Sequence, residues 1–270
     1  MVESPEALAQ LAALGYLPSG TAESNSAAQI ALAESKYNLA VVHAFHGRGP
    51  QALELFRELH QQHSQQPRYA FSYAQALAQA ARYEECCQVL QQLIQRGLRN
   101  IEVDMLMASA LFNQGKKEQG LTLLVDAEKK YSPSPALWGM LGNMHLVDRR
   151  WSDAARAFAK AIELDEDDPR THDGLALAAL QLKQFEQAAD HALSAIGLLF
   201  FFPQAHFHLG MAFQGMGDTQ RAIRSLELAV TQAPNFPEAH RELASLFQKA
   251  NDIPRWLNHK RLAEGMPPII

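Results

Sequence analysis

Residues 135–169 read PALWGMLGNMHLVDRRWSDAARAFAKAIELDEDDP. Two segments with apolar residues at helical spacing flank the polar break Asp148-Arg149-Arg150, and a proline stands at either end. The same layout recurs on both sides. Pro135, Pro169, Pro203 and Pro237 follow one another at intervals of 34 residues, and Pro67 lies two such intervals before Pro135. Six residues beyond each proline slot stand Leu39, Tyr73, Met107, Leu141, Leu175, Leu209 and Leu243. One further on come Ala40, Ala74, Ala108, Gly142, Ala176, Gly210 and Ala244, all small. A third column, Ala52, Cys86, Gly120, Ala154, Ala188 and Ala222, stays small until Trp256 ends it.

A fixed period of this length marks a repeat architecture. Each unit predicts two helices joined by a tight turn, and the small residues mark where the helix axes approach closely enough for ridges to enter grooves. A 34-residue hairpin reading W-x2-L-G, then an aromatic near the turn, then A-x3-F-x2-A resembles the tetratricopeptide repeat. Trp138, Leu141, Gly142, Trp151, Ala154, Phe158 and Ala161 carry that pattern in full, and Leu209, Gly210, Phe213, Ala222, Leu226, Ala229 and Pro234 carry most of it. The resemblance covers residues 33–270. It implies an all-α chain, a right-handed superhelical solenoid of about seven hairpins whose units start near residues 33, 67, 101, 135, 169, 203 and 237. The last unit departs from the pattern at Trp256 and Lys260 and carries Arg255, Asn258 and His259, as a solvent-facing C-terminal cap should. Residues 1–32 stand outside the array. There Ser4-Pro5-Glu6, Ala7 to Leu14 and Gly15 predict a short capped helix, and Gly20 to Asn25 a polar link.

Composition narrows the function. A net charge of -5 without a Lys/Arg run disfavours nucleic acid as a partner. The adjacent Cys86 and Cys87 offer neither zinc-ligand spacing nor a disulfide framework. No window reaches the ~20 apolar residues of a spanning helix, so membrane insertion is not expected. The N-terminus lacks the basic start of a signal peptide, and a cytoplasmic protein is expected. There is no Gly-x-Ser-x-Gly, phosphate loop or His-Glu-x-x-His, so no enzyme, cofactor or metal site is anticipated.

Residues 197–203, GLLFFFP, fall at the joint between two units, with Pro203 opening a helix where a missing N–H costs nothing. Phe200 to Phe202 either pack under that joint or form an exposed apolar patch. His172, His206 and His240 share one repeat position, and His206 and His208 do not share a helix face, so these histidines are read as structural, packed between helices.

At 100° per residue, positions 4, 7, 8 and 11 of each first helix cluster on one side, while positions 2, 5, 9, 12 and 13 face away. The resemblance implies that the second face lines a concave groove holding a partner's segment. It comprises Arg68, Phe71, Gln75 and Gln79; then Glu102, Met105, Ser109, Phe112 and Asn113; then Asn143 and Leu146; then Arg170, Asp173, Leu177, Leu180 and Gln181; then Gln204, Phe207, Met211 and Gln214. Phe and Met suit a binding surface, the one as a rigid anchor and the other as an adaptable contact. Family members that clamp a chaperone's C-terminal carboxylate use Lys, Asn and Arg at set positions, whereas position 5 here reads Tyr37, Phe71, Met105, Gly139, Asp173, Phe207 and Arg241, which does not match. The expected role is a non-catalytic scaffold binding a protein or peptide segment. EALAQLAALGYL and FPQAHFHLG are also similar to the C-terminal repeat region of bacterial sulfatase-like or type I phosphodiesterase proteins, which implies an accessory module of such a hydrolase as the alternative. Self-association through the proline-containing tail Gly265 to Ile270 is a further expectation.

Overall fold

The structure, a computed structural model, describes residues 22–267. Among the described residues every regular element is a helix. In chain order these are α1 (Ala22–Phe45), α2 (Gly49–Gln62), α3 (Pro67–Gln79), α4 (Tyr83–Gln95), α5 (Ile101–Asn113), α6 (Lys117–Lys130), α7 (Pro135–Val147), α8 (Trp151–Leu164), α9 (Pro169–Gln181), α10 (Phe185–Leu198), α11 (Pro203–Gly215), α12 (Thr219–Gln232), α13 (Pro237–Lys249) and α14 (Ile253–Ala263). Two compact units divide within α6, one ending at Leu123 and the other beginning at Leu124. In the first unit α1 pairs with α2 and α3 with α4, in the second α7 with α8, α9 with α10, α11 with α12 and α13 with α14, and within each unit a hairpin lies against the first helix of the next.

α1 departs from the periodic expectation. It runs unbroken through residue 33, and Ala22 to Asn25, expected to end a polar link, form its first turn. No Gly or Pro interrupts residues 22–45, and alanine-rich sequence continues a helix that has begun. The short helix expected at Ala7 to Leu14 lies outside the described residues.

The starts and stops of the helices have local causes. Pro67, Pro135, Pro169, Pro203 and Pro237 each occupy the first helical position. Side chains of Asn100, Ser134, Asp168, Asp218 and Asp252 accept a backbone N–H of the helix they precede. The turn inside every hairpin places one residue in the left-handed region: Gly47, Ala81, Gly115, Arg149, Lys183, Gly217 and Asn251, all at one repeat position. The N–H of the next residue then returns to a carbonyl in the last turn of the helix, as Arg82 does to Leu77 at 2.8 Å and Arg150 to His145 at 2.9 Å. Ala81 adopts φ +57° and Lys183 φ +60° against the preference of an L side chain.

Helix pairing rests on small residues facing large ones. A Cβ added to Gly142 of α7 would stand 2.6 Å from the Phe158 ring of α8, and one added to Gly174 of α9 would stand 2.5 Å from the same ring. One aromatic side chain therefore fills the room left by two glycines, one on each neighbouring first helix. In α11 and α12 the pair is Gly210 and Leu226, at 2.7 Å on the same construction. The small column Ala52, Cys86, Gly120, Ala154, Ala188 and Ala222 is buried throughout.

The joint at residues 199–202 is not a packed cluster. Phe200 and Phe201 are 66% and 65% exposed, and only Phe202 is half-buried. The Phe200 carbonyl accepts hydrogen bonds from His206 Nε2 at 3.0 Å and Gln232 Nε2 at 2.9 Å, which fixes the linker backbone without burying the two rings.

Gly142→Val and Gly174→Val should each lower the stability of the second unit by about 2 kcal/mol through overpacking. In a Phe158→Ala background the added penalty should shrink, a coupling that denaturant titration of the four variants measures. Ala81→Gly and Lys183→Gly should each raise the urea midpoint, by up to about 1 kcal/mol of stability, by relieving the left-handed backbone.

Candidate functional site

The candidate surface is the outward face of the first helices. In the first unit Arg68 pairs with Glu34 of α1, and its guanidinium lies 4.4 Å from the centre of the Tyr37 ring. Phe71 is half-buried against the core, while Gln75 and Gln79 are exposed. On α5, Glu102 is exposed, Met105 and Ser109 are half-buried, and exposed Asn113 donates to the Ser109 carbonyl at 2.9 Å.

Phe112 corrects the sequence expectation. It is only 7% exposed, and a Cβ on Gly120 of α6 would stand 3.2 Å from its Cβ. Lys117 covers the ring at 5.7 Å. A small residue on the paired helix opens room that Phe112 enters, so it serves packing within the hairpin and is not available to a partner.

In the second unit Asn143, Arg170, Gln181 and Gln204 are exposed, and Leu146, Leu177, Leu180, Met211 and Gln214 are half-buried. Phe207 is half-buried with its ring 5.1 Å from that of Phe236, the residue just ahead of α13, which braces it. Two polar residues on this face are already engaged. Asp173 of α9 accepts from His208 Nδ1 of α11 at 2.6 Å, and Gln214 donates to Glu242 of α13 at 3.3 Å. The first pair belongs to a ladder that the sequence reading missed. Glu34 with Tyr69 and Tyr37 with Ser72 are also hydrogen-bonded at a separation of 35 residues, joining successive first helices. The available signal was complementary polar residues one repeat plus one apart.

The recurring histidines have a shared structural job. His172, His206 and His240 each donate from Nε2 to the carbonyl six residues earlier, those of Glu166, Phe200 and Pro234, at 3.0, 3.0 and 2.9 Å. That bond places the proton on Nε2 and leaves Nδ1 as an acceptor. His259 Nδ1 donates to His240 Nδ1 at 2.9 Å across the last hairpin, and His172 and His191 face each other in the same way at 3.4 Å. Burial, with help from His240 and Arg255, pushes His259 down to about 4. Burial followed by the neighbouring His172 also lowers His191.

Among the described residues no three His, Cys, Asp or Glu side chains converge as a metal site would need. No helix of the described residues is long and apolar enough to cross a membrane. Burial and the neighbouring Cys87 push the Cys86 thiol up to about 12, which keeps it in the unreactive protonated form. The surface offers a row of half-exposed apolar groups with amides and charges around it, an arrangement suited to holding a chain.

Comparison with known proteins gives the same architecture. Residues 105–169 and 145–206 match one tetratricopeptide-repeat family description, and residues 203–236 match another. Residues 46–127 match the description of anaphase-promoting complex, cyclosome, subunit 3. Among curated proteins none matches the sequence. The solved APC/C hetero-tetramer Cut9–Hcn1 superposes with a TM-score of 0.69 at 14% identity, over 84% of this chain and 45% of that one. The C-terminal part of a repeat-containing protein from Cytophaga hutchinsonii gives 0.62 at 14% identity, over 85% and 95%. MamA from Desulfovibrio magneticus RS-1 gives 0.56 at 17% identity, over 60% and 93%. At these identities the likeness is one of fold. The hydrolase resemblance has no counterpart among these matches.

On unfolding, His191 and His259 regain ordinary affinity for protons, so between about pH 6.5 and 4 the unfolded chain binds more protons than the folded one. Stability of the second unit should therefore be complete above pH 6.5, fall steadily as the pH drops toward 4, and change no further from this source below it. Urea titrations across that range should show the slope, and His259→Gln should flatten it.

Proposed function

Since this chain belongs to the tetratricopeptide-repeat family, we propose that it is a non-catalytic scaffold. It holds a segment of a partner protein against the first helices of its second unit. The observation that carries this reading is the half-exposed row Leu177, Phe207 and Met211 on α9 and α11, bordered by exposed Asn143, Arg170 and Gln204. Apolar groups ringed by polar ones are the composition of a binding patch, with the apolar centre excluding water and the rim giving direction.

The ring of Phe207 is held in place by Phe236, so little rotamer freedom remains to be lost when a partner covers it. Met211 adapts to the shape it meets. With Asp173 and Gln214 bonded to neighbouring helices, specificity rests on Arg170, Asn143 and Gln204. The Cut9–Hcn1 hetero-tetramer, similar in fold, is itself an assembly of proteins, which supports a scaffold over an enzyme.

A photoreactive residue at Met211 tests the proposal in the native host, with capture read by mass spectrometry. A partner captured by this variant should be lost when Leu177→Asp is added, at unchanged thermal stability. With that partner purified, Phe207→Ala or Leu177→Ala should weaken binding by about 10-fold or more. Capture and affinity indifferent to all three substitutions would show that the face is not used.

A further inference from the structure

Leu198, Leu199, Phe200 and Phe201, consecutive at the joint between α10 and α11, are all exposed. The fold does not require apolar side chains there. Position 200 serves the joint through its backbone: the carbonyls of Glu166, Phe200 and Pro234, one repeat apart, accept from His172, His206 and His240 whatever side chain they carry. At the following position stand Asp167, Phe201 and Asn235, all exposed. The joints on either side thus meet the same structural demand with charged, amide or proline side chains, and only the middle one of the three sets aromatic rings in water. Those rings stand on a fixed backbone. The Phe200 carbonyl takes two further donors, Gln232 Nε2 at 2.9 Å and the Phe202 N–H at 3.0 Å, and the Phe200 ring lies edge-on to His206 with centroids 5.5 Å apart. Little ordering remains to be done when a partner covers it.

The surroundings carry one sign of charge. The joint before it, between α8 and α9, has five carboxylates and no Lys or Arg from Glu163 to Asp168. Asp168 caps α9, while Glu163, Asp165, Glu166 and Asp167 are exposed. Of the cations that flank this run in sequence, Lys160 lies over the Trp138 ring at 4.1 Å and Arg170 belongs to the candidate surface described above. No Lys or Arg stands between Lys183 and Arg221, nor between Arg224 and Arg241. The first helices α9 and α11 lie against each other, so equivalent points of the two joints are about 10 Å apart. Exposed Leu164, the counterpart of Leu198, continues the apolar surface toward the carboxylates.

We infer that these two joints form a second docking surface, for a cationic segment that lays two neighbouring apolar side chains on the Phe200 and Phe201 rings and Lys or Arg side chains on Glu166 and Asp167. An extended segment covers the 10 Å or so between them in about three residues. The carboxylates repel nucleic acid and anionic lipid, and a second copy of this chain, at net charge -5, brings mostly the same sign. An apolar patch bordered by negative charge selects the opposite charge beside an apolar anchor.

Selection against the full chain from a random peptide library displayed on phage tests this with no partner assumed. Binders lost on Phe200→Ser/Phe201→Ser should share an apolar pair with Lys or Arg about three residues away. A synthetic copy of the strongest should bind about 10-fold more weakly to Phe200→Ser/Phe201→Ser and to Glu166→Lys/Asp167→Lys, and more weakly to the native chain as salt is raised. All four side chains are exposed, so neither variant should lose Tm. Leu177→Asp, which disables the first-helix surface, should leave this affinity unchanged, so the two surfaces stand or fail separately. Patch-dependent binders of neutral or acidic composition, no patch-dependent binder, or an affinity indifferent to charge reversal at Glu166 and Asp167 would overturn the inference. So would a dimer in sedimentation, or adsorption to phosphatidylcholine vesicles, that Phe200→Ser/Phe201→Ser abolishes, since the surface would then belong to a second copy or to lipid.

Discussion

The ring of Phe158, lodged where Gly142 and Gly174 have no side chains, is the contact on which the second unit depends. A helix pair can close to short range only if one partner gives up volume, and a repeat can stack only if the same large residue also meets the next first helix. Phe158 does both. The chain repeats this solution with other partners, Leu226 against Gly210 for example, which is why the sequence keeps small residues in two columns but lets the large one vary.

Everything between those contacts serves to keep them at a constant interval. The hairpin turn has a fixed length, enforced by one left-handed residue whose successor returns to the helix it leaves. Four of the seven turns carry a side chain there and accept the strain. The joint between hairpins is held differently, through the carbonyl six residues before a histidine in α9, α11 and α13. An imidazole suits this task because one nitrogen donates to the linker while the other, in α9 and α13, faces a second histidine on the paired helix. Acid acts on their partners, His191 and His259, which burial holds below the ordinary histidine range.

The candidate surface was legible as a face but not residue by residue. Counting 100° per residue separates Leu177, Phe207 and Met211 from the packing side, and the structure leaves all three half-exposed. Position 12 lies near the edge of that face, where the counting alone does not discriminate. Phe112 sinks into the room beside Gly120, whereas Leu146, Leu180 and Gln214 stay half-buried. Asp173 and Gln214 look free on a helical projection, yet they spend their polar atoms on His208 and Glu242 of the next first helix. Phe200 and Phe201 could equally have packed or faced water by their sequence, because a joint has no periodicity to read.

The sequence by itself determined the repeat: its length, the two helices per unit, their starts at proline and the small columns along which they pair. These follow from backbone propensity and from patterns that lie within reach of one helix or one period. Which residues of a face remain available was decided only by tertiary structure, because availability depends on the volume and hydrogen-bonding groups of a neighbour some 35 residues away, as for Asp173 and His208.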